Sequence, residues 1–482
     1  MWYHLSRIEY FFTHNISITQ VINKELWPYI WGEIFKIFDV EDVLVRAKII
    51  HIIQTLISFF VIYFVSQVII RNLFRRIDGL TLRYLSLWAV FIWFTIYATF
   101  SVAYHQVWIM WYSINYQITL IIFWYIVALS LIITVEKQFM SKSLFYLFQI
   151  IFFSIVILWM HATEFIYYAM YLLLIFTLFF NRIFSVYRTY FLQISIVLII
   201  LVYGFYYFLT QGFIYRDPQL FNHFSTDLYT KIMSIGKVQV EMLSRSFASM
   251  NELIYLSLLL ILIMFIVVIK NRDKDINIKF LLLLFISSLF VLIPINTFAS
   301  GVASMLIHEA YVNRFYYASS VFIVLPVVVY YFVQLQNLKD MLIKVNIIIF
   351  TILMLIFFYS KELSNSSNYY KNVISLINSF SNEKVGLNYS MNYVNIINNQ
   401  LSEYKQRYKG KKVFYYARGD ISYIIKYILK EDNIFIERRE LCSKEKFLTY
   451  CKEKGFEPVI FRIPNGFPKD KILFENFDFE MK

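Results

Sequence analysis

Three short stretches of this chain combine residue types that can grip a phosphate and move a proton. The front end carries His4, Arg7 and Glu9 within Tyr3-His4-Leu5-Ser6-Arg7-Ile8-Glu9, and a second carboxylate follows at Glu33. Further on, His161 and Glu164 stand three apart, which puts them on one face of a helix. A third group, His308, Glu309 and Arg314, lies within Ile307-His308-Glu309-Ala310-Tyr311-Val312-Asn313-Arg314. A guanidinium offers phosphate oxygens two parallel hydrogen bonds, and a carboxylate can take a proton from an attacking hydroxyl. An Arg at membrane level serves equally well as an anchor to lipid headgroups in general. Neither His-Glu pair has the spacing of a three-ligand metal site, so these residues name no metal.

The elements that must position such groups follow from composition. Of the 482 residues, 59% are hydrophobic, 20% aromatic and only 16% charged, which is too apolar for a soluble chain of this length. The expectation is an α-helical polytopic membrane protein. A net charge of +13 could suit nucleic acid, but the basic residues sit in short loops between apolar runs, so nucleic acid is excluded as a partner and membrane lipids are retained.

About ten apolar stretches could cross roughly 30 Å of hydrocarbon, at 49–70, 84–104, 117–135, 144–160, 164–180, 189–209, 253–269, 280–297, 316–333 and 345–360. The loops at 71–83, 136–143, 181–188, 270–279 and 334–344 hold the basic residues, among them Arg71, Arg75, Lys142, Arg182, Arg188 and Arg272. By the positive-inside rule those loops are cytoplasmic, and the front end and the tail face outward. Between the fourth and fifth stretches only His161-Ala162-Thr163-Glu164 intervenes, which reads as a tight outer hairpin. All 7 histidines then fall in outer segments or at outer helix ends. That is the side on which chemistry is expected, since histidine titrates near neutral pH.

Three domains are expected: an outer interfacial segment over 1–46, a helical membrane domain over 47–360 and an extracytoplasmic α/β domain over 361–482. The front segment lacks the order of a secretory signal and is expected to be retained. Ile30, Ile34, Phe35, Ile37 and Phe38, with Glu33, Lys36 and Asp39 between them, suggest a short amphipathic helix at the interface, with Pro28 in its first turn. In the tail, 413–417 and 458–462 read as buried strands, and 421–429 and 444–452 as helices. The tail also holds both cysteines, Cys442 and Cys451, which are too far apart to bond if the helix between them is continuous.

The stretch Tyr3-His4-Leu5-Ser6-Arg7, continued by Glu9-Tyr10-Phe11-Phe12-Thr13-His14-Asn15, resembles the Y-H-L-P-R motif of bacterial membrane proteins similar to the GT-C glycosyltransferase superfamily. Pro28 to Phe35 and Asp39 to Arg46 look like that superfamily's first outer loop running into its second membrane helix. The resemblance implies transfer of a sugar from a polyprenyl-phosphate donor to an acceptor at the outer membrane face, with a loop carboxylate as base and often a divalent cation. Ser6 stands where the family has Pro, and the family places a membrane helix and an acidic residue ahead of the Tyr-His pair. Either the true start lies further upstream, or Glu9 or Glu33 supplies the base.

On that reading Glu9 and Glu33 are the catalytic candidates, and His4, Arg7, His161, Glu164, His308, Glu309 and Arg314 are the candidates for holding substrate. The expected location is the cytoplasmic (inner) membrane with the tail facing the periplasm. Two other readings stay open: an O-antigen polymerase, and a non-catalytic envelope or lipid-binding scaffold on the same architecture. A transporter is disfavoured by the scarcity of ionisable residues at mid-membrane depth.

Overall fold

The computed structural model describes residues 2–21, 26–98, 114–135, 140–160, 163–211, 251–294, 296–306, 317–335, 409–417, 444–462 and 475–477, with single positions or short runs at 229–240, 312–315, 398–406 and 425–429. It is mostly helical. The chain divides into two compact units, one made of residues 1–51 with 377–482 and the other of residues 52–376. The front end and the tail thus share one unit, where the sequence suggested two separate domains.

In the first unit, α1 (Trp2–Thr13) and α2 (Leu26–Ile37) pack against each other. Helix α2 turns Leu26, Pro28, Trp31, Gly32 and Phe35 inward and leaves Ile37 and Phe38 exposed. The helix has Pro28 in its first turn, as the sequence suggests, and ends at Ile37. Its buried face follows the contact with α1, which the pattern alone could not locate. Asp39 takes a left-handed φ of 52° and ends the helix. The tail contributes β1 (Val413–Ala417), α13 (Lys444–Lys454), β2 (Glu457–Arg462) and β3 (Glu475–Phe477). Strands β1 and β2 pair in parallel, with Val413 opposite Glu457, and β3 adds to β2 antiparallel. Cys451 is a buried free thiol whose pKa burial pushes up to about 11. Cys442 lies outside the described residues.

Helix α3 (Val43–Leu73) begins in the first unit and continues into the second. Asp42 caps it through the amide of Val45 at 3.2 Å. The second unit goes on with α4 (Gly79–Ala98), α5 (Ile114–Val135), α6 (Met140–Met160), α7 (Thr163–Thr189), α8 (Phe191–Gln211), α9 (Asn251–Asn271), α10 (Ile278–Ser288), α11 (Thr297–Leu306) and α12 (Val321–Leu335). Among the described residues three helices are long and apolar enough to cross a membrane, over 45–73, 118–135 and 164–184, or four if one bent pair counts as a span. Shorter apolar helices occupy 79–93, 144–158, 191–200, 255–271 and 321–335. The stretch 345–360 lies outside the described residues.

Two boundaries differ from the sequence expectation. Residues 181–188, expected as a loop, are helical within α7, which kinks at Phe179 (φ −120°, ψ 24°) and continues to Thr189. The apolar run 280–297 is broken, since the chain turns by 86° between residue 292 and Thr297. Pro294 removes a backbone donor at that break, and Asn296 accepts the amide of Ala299 to start α11.

Helices α6 and α7 both pack along α5. Leu147 and Ile150, early in α6, line one cavity with Phe176 and Ile183, late in α7, so the two helices run in opposite directions. At the core, Trp124 meets Tyr171 and Phe322 edge to face, with ring centroids 5.5 and 5.2 Å away. The backbone ahead of α12 is not α-helical, and in an apolar interior its polar groups need partners. Tyr171 donates to the carbonyl of Ala318 at 2.9 Å, Ser319 donates to the carbonyl of Ser288 at 2.9 Å, and Ser287 and Ser320 pair at 2.5 Å. Two basic loops also meet: Arg75 donates its amide to Asp275 and Asn277 donates its amide to Leu73.

Gly236 and Gly301 let two segments cross with backbones in contact. A Cβ built at Gly301 would strike the carbonyl of Ile232, and one at Gly236 the carbonyl of Thr297, whereas one at Gly79 would meet nothing within 4 Å. Gly301→Ala and Gly236→Ala should each cost about 1–3 kcal/mol, read as a lower melting midpoint in detergent, with Gly79→Ala near neutral. Equal midpoints for Gly301→Ala and Gly79→Ala would mean that this crossing is loose.

Candidate functional site

The N-terminal unit carries a concentration of buried charge, and its construction begins with α1 against α2. Gly32 sits where a Cβ would come within 2.7 Å of the Cβ of Phe11, so the two helices approach closely at that point. Phe11 meets Tyr29 edge to face at 5.4 Å, and Trp31 stacks on Phe35 at 5.5 Å. Lys36 Nζ donates to the carbonyl of His14 at 2.8 Å and to Glu33 at 2.6 Å, tying the last turn of α2 to the end of α1. His14 stacks on Tyr10 with ring centroids 4.6 Å apart.

The turn after α2 then sends the chain into α3, whose first turn presents Arg46 to the side of α1. Arg46 Nη1 donates to Glu9 Oε2 at 2.5 Å, and its Nε donates to the carbonyl of Val40 at 2.5 Å. The guanidinium lies 3.7 Å from the centroid of the Phe12 ring. Arg46 is 1% exposed and Glu9 5%, so the pair is withdrawn from water. Two residues before Glu9, and so turned to another face of α1, Arg7 is 6% exposed, with its guanidinium 5.1 Å from the Tyr10 ring centroid and 5.4 Å from that of Phe11. Burying two guanidiniums and a carboxylate is costly unless they are paired and hydrogen-bonded.

The tail adds Tyr427 to this cluster. Burial pushes its phenol up to about 12, and the negative charges of Glu9 and Asp42 add to that while Arg46 opposes it. The result is a carboxylate and a guanidinium paired at the head of a helix able to cross a membrane, with a buried phenol of the tail within their electrostatic reach.

The sequence candidates fall into three groups. Glu9 is in the buried cluster, and Arg7 is buried on another face of α1. Glu33 lies on α2, away from that cluster's ion pair, and holds Lys36 at the surface. Glu164 is buried in the first turn of α7, in the other unit. His4 belongs to α1, but its side chain is outside the described set, as are His161, His308, Glu309 and Arg314. Arg46, Phe12 and Tyr427 were not singled out from sequence. The signal for Arg46 was a cation one turn after a capping Asp at the head of an apolar run; Tyr427 carried none.

The donor set does not suit a divalent cation. The carboxylate of Glu9 is taken by a guanidinium, and among the described residues no three His, Cys, Asp or Glu converge. No protein-family model, curated protein or solved structure matches this chain.

Two outcomes follow for stability. Glu9→Gln or Arg46→Gln alone should each cost about 3–5 kcal/mol by stranding a buried charge, while Glu9→Leu with Arg46→Met should recover most of that loss. Additive losses in the double variant, measured by denaturant melts of the full chain, would remove the pair from the core of this unit. The phenol works at the other end of the pH scale. Its folded pKa of about 12 exceeds the ordinary 10.0, so its contribution is intact below pH 10 and is lost as pH rises toward 12. Tyr427→Phe should blunt that alkaline loss of stability, and an unchanged alkaline limb would place Tyr427 outside the cluster.

Proposed function

We propose that this chain is an integral protein of the cytoplasmic membrane with about ten spans and an extracytoplasmic α/β tail. On this reading it is a GT-C-type glycosyltransferase that moves a sugar from a polyprenyl-phosphate donor to an acceptor at the outer face. The observation that carries the reading is the buried Glu9–Arg46 pair in the first turn of α3, at the boundary where a lipid-borne phosphate would sit. The pairing of the basic loops around Phe74 and Ile276 supports the topology, since both belong to the set expected on the cytoplasmic side.

The chemistry assigns each group a task. As donor enters, its phosphate replaces the Glu9 carboxylate on Arg46, and the buried Arg7 of α1 adds to the positive field of the same unit. Glu9, released, accepts the proton of the acceptor hydroxyl. The hydroxyl oxygen bonds to the anomeric carbon, and the bond from that carbon to the phosphate oxygen breaks. The electron pair leaves with the polyprenyl phosphate, which the guanidiniums stabilise. No step is routed through a metal.

A second reading, a non-catalytic envelope or lipid-binding scaffold, draws on the same pair: both carboxylates proposed as bases, Glu9 and Glu33, are held by cations. The two readings part in a reconstituted assay. In vesicles carrying a polyprenyl-phosphate hexose, the wild type should release polyprenyl phosphate. Glu9→Asp, which keeps the charge but withdraws the carboxylate, should lower turnover by about 100-fold or more while donor still binds. Binding without turnover in the wild type would favour the scaffold. Unchanged binding in Arg46→Lys would dismiss the front end as the phosphate site.

A further inference from the structure

In the second unit, α5, α6, α7 and α8 enclose a cavity of about 420 Å³ that no part of the proposed transfer reaction uses. Its walls are aliphatic and aromatic except for three hydroxyls, and all three are engaged within the protein. Ser130 donates to the carbonyl of Ile126 at 2.7 Å and lies 3.0 Å from the Tyr168 hydroxyl, and Thr134 donates to the carbonyl of Ser130 at 2.7 Å. The site offers a polar molecule little to bind, and its volume is in the range of ligand pockets.

Its position is as informative as its lining. The cavity runs along α7 from Tyr168 to Ile183, about 22 Å at 1.5 Å per residue, enough for the roughly 15 Å of hydrocarbon in one leaflet. Leu173 and Leu198, which line it, are 67% and 49% exposed, so the cavity opens sideways where lipid would lie. At its far end Ile183 adjoins Arg182, exposed, and Arg188 follows in the last turn with its guanidinium 4.7 Å from the Phe184 ring. The only acidic residue in α5 to α8 is Glu164, at the opposite end of α7.

We propose that this cavity holds one acyl chain of an anionic phospholipid, with the phosphate of that lipid against Arg182 and Arg188. The occupant is set by two features together: an apolar slot open to the bilayer, and a pair of exposed cations, Arg182 and Arg188, toward the end of α7 beside it. This lipid is a resident of the bundle and is distinct from the sugar donor proposed above.

The test uses the full-length protein in detergent with phosphatidylglycerol and phosphatidylcholine of identical chains. Phosphatidylglycerol should raise the melting midpoint and bind about five-fold tighter per arginine than phosphatidylcholine. Arg182→Gln with Arg188→Gln should abolish that preference, and Ala169→Phe, which fills the slot, should cut retention of either lipid several-fold. On unaltered protein, phosphatidylglycerol with a photoreactive acyl chain should label the peptide spanning 168–183. Equal affinity for the two lipids would overturn the headgroup assignment, and labelling confined to other peptides would overturn the proposal as a whole.

Discussion

The N-terminal unit depends on one ion pair that water does not reach. Arg46 is fixed by the Val40 carbonyl of its own segment and by the face of Phe12 on α1, and Glu9 is carried by α1. Their contact joins α1 to the head of α3 within the N-terminal unit. The attraction of a buried pair scarcely exceeds the cost of dehydrating it, which makes such a pair a poor source of net stability. It gives specificity instead, because any other arrangement of α1 on α3 strands two charges.

The helical unit meets the opposite constraint. Its interior is apolar; several buried hydroxyls fold back onto carbonyls of their own helix, as Ser58 and Ser66 do, and others serve backbone that a helix does not satisfy. Tyr171, Ser319 and Ser320 serve the non-helical approach to α12, and Asn296 restarts the chain after the break at Pro294. Where helices touch, glycine removes the side chain, as at Gly236 and Gly301, and aromatic edges fill the rest around Trp124. The cavity between α5 and α8 stands out against this background because its hydroxyls are already satisfied. It is a volume left for hydrocarbon.

Much of the local structure is legible in residue order. The strand at 413–417, the helix from Lys444 and the strand through 458–462 lie where alternation and periodicity put them, and Asp42 and Asp78 head α3 and α4 as capping residues should. Boundaries within apolar runs are less legible. Residues 181–188 stay helical despite two arginines, because Arg and Phe are tolerable helix formers and nothing there breaks the backbone. The run 280–297 breaks where Pro294 and Asn296 act together, a local signal that overall hydropathy conceals.

The sequence by itself determined that this is an apolar, helical chain with basic loops alternating between its apolar runs. Those properties depend on composition and on neighbours a few residues away. Only the tertiary structure decided that Glu9 faces Arg46, that Tyr427 from the tail joins them, and that the buried face of α2 is the one turned to α1. These meetings join residues well separated in the chain, Phe11 with Gly32, Glu9 with Arg46 and the front end with the tail. Burial, which turns an ordinary surface charge into a paired one, is a property of the assembled surroundings and is written in no single stretch.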